Sequence, residues 1–245
     1  MKEKVSGLSK GDARRNEIAW QVKNARRRER GVLTTYQLDR SGFNYVHALE
    51  GLESLFQYVR SLSSNMVLDI GAGTTKGARD LSKCSFGQGL RFEATVLNNT
   101  AIVQANLGRK HTHVVPAETL RGIADSSVGC AIAVLSIGYS TAPSLVVESC
   151  DRVLAPGGVL KATFLPQTDT GLLVFSSNEM QPIDKFCNEL RKRGYDVATK
   201  PKRGEFLYDI LLAIKSGNPS APTAESLLEA DAKSFVQQAE DIKGV

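Results

Sequence analysis

Asp69, Gly71 and Gly73 stand where this sequence could grip a small polar ligand. They close the stretch Met66-Val67-Leu68-Asp69-Ile70-Gly71-Ala72-Gly73-Thr74-Thr75-Lys76-Gly77. The apolar residues before Asp69 read as a buried parallel strand. Gly71 and Gly73 let the backbone turn sharply and approach a ligand closely, which a Cβ would obstruct. A helix starting near Thr75 aims its free N–H groups at the same place. The chemistry on offer is binding and orientation by backbone, with one carboxylate behind it.

Around that turn the chain alternates strand and helix. Leu90–Leu97, His111–Val115, Val128–Leu135 and Val159–Leu165 read as strands, the apolar run from Val128 as a central one. Helices are expected over Asn99–Leu107, Pro143–Leu154 and Pro182–Gly194, with Pro156-Gly157-Gly158 as a turn. Tyr195–Thr199 and Phe206–Ile214 would close the sheet as a hairpin through residues 200–204. Ahead of it all, an apolar stripe from Phe43 to Leu62 predicts one amphipathic helix opened by Ser41 as N-cap. Such alternation argues for a doubly wound α/β sheet.

The dinucleotide-binding turn needs a third glycine three residues after the second, and Lys76 occupies that position. The acid two residues before the first glycine points elsewhere. Val67-Leu68-Asp69-Ile70-Gly71-Ala72-Gly73 resembles motif I of the Rossmann-like, S-adenosylmethionine-dependent methyltransferases. A second stretch, Arg152-Val153-Leu154-Ala155-Pro156-Gly157-Gly158, resembles the segment those enzymes carry before their fifth strand. The resemblance runs from about Val67 to Lys215. It implies a seven-stranded, mostly parallel Rossmann-like sheet with the last strand antiparallel, and S-adenosylmethionine as cofactor.

The same resemblance assigns residues. Gly71, Ala72 and Gly73 would meet the amino-acid tail of the cofactor, and Asp69 would hold the turn or meet the ammonium group. The ribose position falls on Asn98, with Asn99 next, where the family usually has an acid. The adenine position falls on Ala117 and Glu118, after Pro116. Leu135 and Ser136 end the fourth strand, and the reacting end lies beyond them. Tyr139 is the candidate for positioning an acceptor there, and Tyr36 and Tyr45 are candidate lid residues.

Composition bounds the rest. The 245 residues carry a net charge of +5, and no apolar run approaches the ~20 residues a bilayer requires. No secretory leader is evident, so a cytoplasmic protein is expected. Cys84, Cys130, Cys150 and Cys187 are widely spaced and read as reduced thiols, and His111 and His113 lack further ligands for a metal. The basic residues gather early. Arg14, Arg15, Arg26, Arg27, Arg28 and Arg30 offer either a surface for nucleic acid or a solvated face. The expected organisation is a basic extension over 1–40, a methyltransferase-like domain over 41–215, and a linker with a helix over 216–245. Methyl transfer to a small molecule, RNA or protein is the first reading. A degenerate methyltransferase fold that binds RNA or scaffolds without catalysis is the alternative.

Overall fold

Seven strands form one sheet in the order β3-β2-β1-β4-β5-β7-β6. A computed structural model of the chain describes residues 41–96, 106–140, 142–164, 182–202 and 208–230. The strands are β1 (Met66–Asp69), β2 (Arg91–Val96), β3 (Thr112–Val114), β4 (Val128–Val134), β5 (Leu154–Phe164), β6 (Asp196–Lys202) and β7 (Tyr208–Ile214). Strands β1 to β5 pair in parallel. β7 runs antiparallel between β5 and β6.

Helices cover both faces, as parallel strands require. On one face lie α1 (Gly42–Leu49), α2 (Leu52–Arg60), α3 (Lys76–Lys83) and α6 (Ala224–Glu229). They bury Leu49, Leu55, Leu81 and Leu228 against Val67, Cys130, Ile132 and Leu212. Phe56 meets Phe92 edge to face at 5.7 Å, a favoured aromatic geometry. On the other face α4 (Pro143–Val153) and α5 (Ile183–Lys192) bury Val147, Cys150, Phe186 and Leu190 against Leu68, Ala131 and Leu160.

Four expectations need correction. The helix predicted from Phe43 to Leu62 is two helices. The chain breaks at Glu50 and Gly51, which take φ of 51° and 53°, while Ser41 does cap α1 by accepting from Asn44 N. The double glycine before the fifth strand is a bulge inside β5 rather than a turn before it. Val128 pairs with Leu154 and Cys130 with Val159, so the intervening residues of β5 loop out. β6 continues through Pro201 to Lys202, because an edge strand tolerates a missing N–H on its open side. His111 lies in a short 3-10 turn, so only His113 stands on β3. The helix expected over Asn99–Leu107 falls mostly outside the described residues. At the C-terminal end, Thr223 caps α6, and Ala224, Leu227 and Leu228 are buried in the same core as the sheet.

Candidate functional site

The strand order reverses between β1 and β4, and the glycine turn leaves β1 at its C-terminal end. In open α/β sheets this switch point is where ligands bind, because the loops on either side diverge there. Gly71 and Gly73 take φ of 70° and 58°, the left-handed region that glycine enters without cost.

The turn is pinned from three sides. Thr95, buried at the end of β2, accepts from Gly71 N through its hydroxyl at 3.0 Å and from Ala72 N through its carbonyl at 2.9 Å. Ser136 donates its hydroxyl to the Ile70 carbonyl at 2.5 Å, and a Cβ on Gly71 would lie 2.7 Å from Ser136 Cβ. From below, Asp69 is fully buried, and the Tyr45 hydroxyl of α1 donates to its Oδ2 at 2.6 Å.

Two residues other than glycine hold positive φ beside the turn, Thr75 at 58° and Leu135 at 47°. Such a conformation costs about 1–2 kcal/mol for an L-residue and persists where surrounding contacts enforce it. Leu135 N donates to the Thr163 hydroxyl at 3.1 Å. Thr75 N donates to Ala72 O at 3.0 Å, while its hydroxyl accepts from Leu107 N at 2.9 Å instead of capping α3.

These features fit a small polar ligand. Among the described residues a Cβ on Gly73 would find no atom within 4 Å, so none of them fills the space above the turn. The start of α3, which Thr75 leaves without a side-chain cap, adds the positive end of its dipole on the same side.

The remaining candidates fall around this frame. Glu118 is half-buried after β3, its Oε1 accepting from the Ser140 hydroxyl at 2.6 Å and its carbonyl from the Ser149 hydroxyl at 2.7 Å. Ala117 is half-buried beside it and packs on the core under α4. Tyr139 ends the 3-10 turn Ile137–Tyr139, half-buried against that same core. Tyr45 is fully buried under the turn, so it is not a surface lid. Asn98, Asn99, Tyr36, Arg14, Arg15, Arg26, Arg27, Arg28 and Arg30 lie outside the described residues.

Thr95, Tyr45 and Gly77 were not legible as a set. Tyr45 was singled out only as a candidate lid, and Gly77 left a signal as a third glycine one place later than the dinucleotide spacing. Among the described residues no group of three His, Cys, Asp or Glu side chains is placed to hold a metal, and no helix is long and apolar enough to cross a membrane. The four cysteines are buried and none forms a disulfide. A cleft of about 390 Å³ between β6 and α6, lined by Asp196, Lys200 and Glu229 among others, opens at the far edge of the sheet. It is too distant to share in the turn's chemistry.

Residues 68–162 match the family model of the methyltransferase domain. Solved structures with the same fold include a S-adenosylmethionine-dependent methyltransferase from Aquifex aeolicus, 18% identical, with a TM-score of 0.51 over 69% of this chain and 91% of that one. Another is phosphoethanolamine N-methyltransferase 2 of Haemonchus contortus in complex with S-adenosylmethionine, 15% identical, with a TM-score of 0.52 over 69% of this chain and 52% of that one. The [4+2]-cyclase SpnF is 16% identical, with a TM-score of 0.52 over 68% of this chain and 81% of that one. No curated protein matches the chain.

Sheet order and switch-point turn together define a Rossmann-like fold. More particularly, residues 68–162 match a methyltransferase-domain model, and the fold is the one seen in solved S-adenosylmethionine-dependent methyltransferases.

Proposed function

We propose that the chain transfers the methyl group of S-adenosylmethionine to a small-molecule, RNA or protein acceptor presented beyond the C-terminal ends of β4 and β5. The observation that carries the reading is the pinned glycine turn at the switch point, inside the segment that matches the methyltransferase family. When bound, the cofactor supplies an electrophilic methyl on a sulfonium, so the protein's share is alignment and exclusion of water. Gly71, Ala72 and Gly73 would hold the amino-acid tail through backbone, and Glu118 would hold the adenine end. Asn98 and Asn99 would take the ribose. Leu135 and Ser136 would flank the reacting end, where Tyr139 would orient the acceptor.

The test is a calorimetric titration of S-adenosylmethionine and S-adenosylhomocysteine, followed by transfer of labelled methyl to RNA, protein and small-molecule fractions. Micromolar binding, about 8 kcal/mol, is expected for the wild type. Absence of heat and of a thermal shift at millimolar cofactor overturns the reading.

A second reading rests on Asn98, which lacks the charge that usually takes both ribose hydroxyls, and on the arginines between Arg14 and Arg30. Here the fold binds RNA without catalysis. Cofactor-independent RNA binding that weakens steeply with salt would support it.

A further inference from the structure

Tyr45 and Asp69 are 24 positions apart, yet both are fully buried, and one hydrogen bond of 2.6 Å joins them. Their surroundings make that bond hard to replace. Asp69 is the last residue of β1, one residue from the carbonyl that accepts from Ser136 and two from the first glycine of the turn. Tyr45 sits on α1 between the Ser41 cap and the break at Glu50. Its ring lies on Gly77 of α3, where a Cβ would come within 2.2 Å of it.

The first residue of α1 is tied to α3 as well, since Gly42 N donates to Asp80 Oδ2 at 3.0 Å. At its other end, Lys161 donates to the Glu50 carbonyl at 2.6 Å. Asp69 pairs in register with Ile132 and Ile132 with Lys161, so both buried charges belong to one row of the sheet, on the face that α1 covers. α1 therefore rests on the strand that feeds the glycine turn and on the helix that follows it.

We propose that Tyr45 is a positioning residue for the cofactor site: its hydroxyl fixes the Asp69 carboxylate beneath the glycine turn, so that docking of α1 and binding of the cofactor's amino-acid tail are linked. The inference rests on the cofactor reading above and adds a residue and a coupling to it. Linkage of this kind is reciprocal. If α1 supports the turn, an occupied turn supports α1.

Tyr45→Phe isolates the contact, because the ring stays on Gly77 and only the hydroxyl is lost. S-adenosylhomocysteine and 5′-methylthioadenosine serve as the two probes, sharing ribose and adenine but differing in the amino-acid tail. The variant should lose about tenfold or more in affinity for S-adenosylhomocysteine, the scale of a lost hydrogen bond to a buried charge, and bind methylthioadenosine as the wild type does. In the wild type, S-adenosylhomocysteine should slow hydrogen exchange at Val46, Ala48 and Leu49.

Equal loss for both probes would assign Tyr45 a general structural role and overturn the inference. So would unchanged affinity, or unchanged exchange in α1 when the ligand is bound. A wild type that binds neither probe overturns the cofactor reading itself, and this inference with it.

Discussion

A Cβ added to Gly77 would fall 2.2 Å from Cε2 of Tyr45, closer than any side chain tolerates. The ring cannot simply step aside, because its hydroxyl is held by Asp69. Gly77→Ala should therefore destabilise the fold by about 1–3 kcal/mol, the usual cost of overpacking a core, and weaken S-adenosylhomocysteine binding with it. Urea midpoints and calorimetry on the same variant check both. Wild-type stability would mean that α1 can shift without consequence.

Much of this architecture could be read from periodicity. The apolar run from Val128 and the stripe Ile183, Phe186, Leu190 carry strand and helix patterns that tertiary packing only confirms. The break at Glu50 and Gly51 was hidden because the apolar stripe keeps its helical phase across it. Gly51 was its one local mark. The bulge at Gly157 depends on register with β4, and no single strand reveals its register. The site divides in the same way. Gly71 and Gly73 were visible because a turn needs glycine locally, whereas Tyr45 and Thr95 reach the turn through contacts that span some 24 positions.

Alkaline pH should destabilise the protein progressively. Burial pushes the Cys130 thiol up to about 12, with Lys161 partly opposing it. Burial also pushes Cys150 up to about 12, assisted by Asp151. Between about pH 9 and 12 the folded state keeps these protons while the unfolded chain loses them. Stability is thus fully present below about pH 9 and falls above it by about 1.4 kcal/mol per pH unit for each thiol. Urea unfolding of Cys150→Ala at pH 7, 9.5 and 10.5 should show a shallower alkaline loss than the wild type. An identical slope would remove Cys150 from the account.

Lys161 is fully buried, and its ammonium donates to the Glu50 carbonyl where α1 ends. Lys161→Ala leaves a cavity and deprives that carbonyl of this donor. The expected cost is about 3 kcal/mol. Lys161→Met fills the volume without the donor and should cost about 1 kcal/mol. Denaturation midpoints of the two variants decide the matter. Equal losses would mean that packing is irrelevant there and the charge alone is being measured.

Gly71 and Gly73 separate what the turn needs in order to fold from what it needs in order to bind. Both take positive φ, so alanine costs about 1–2 kcal/mol at either from backbone alone. At Gly71 the new methyl also meets Ser136 Cβ at 2.7 Å, and overpacking adds about 1–3 kcal/mol. At Gly73 no described residue lies within 4 Å, so among them the methyl enters only the space above the turn. Gly73→Ala should therefore remain folded, with the smaller fall in Tm, yet lose S-adenosylhomocysteine binding by about tenfold or more, because the backbone can no longer be approached closely. Gly71→Ala should show the larger fall in Tm. Thermal unfolding and titration of the pair test this directly. Wild-type affinity in Gly73→Ala would show that the amino-acid tail does not lie over this turn.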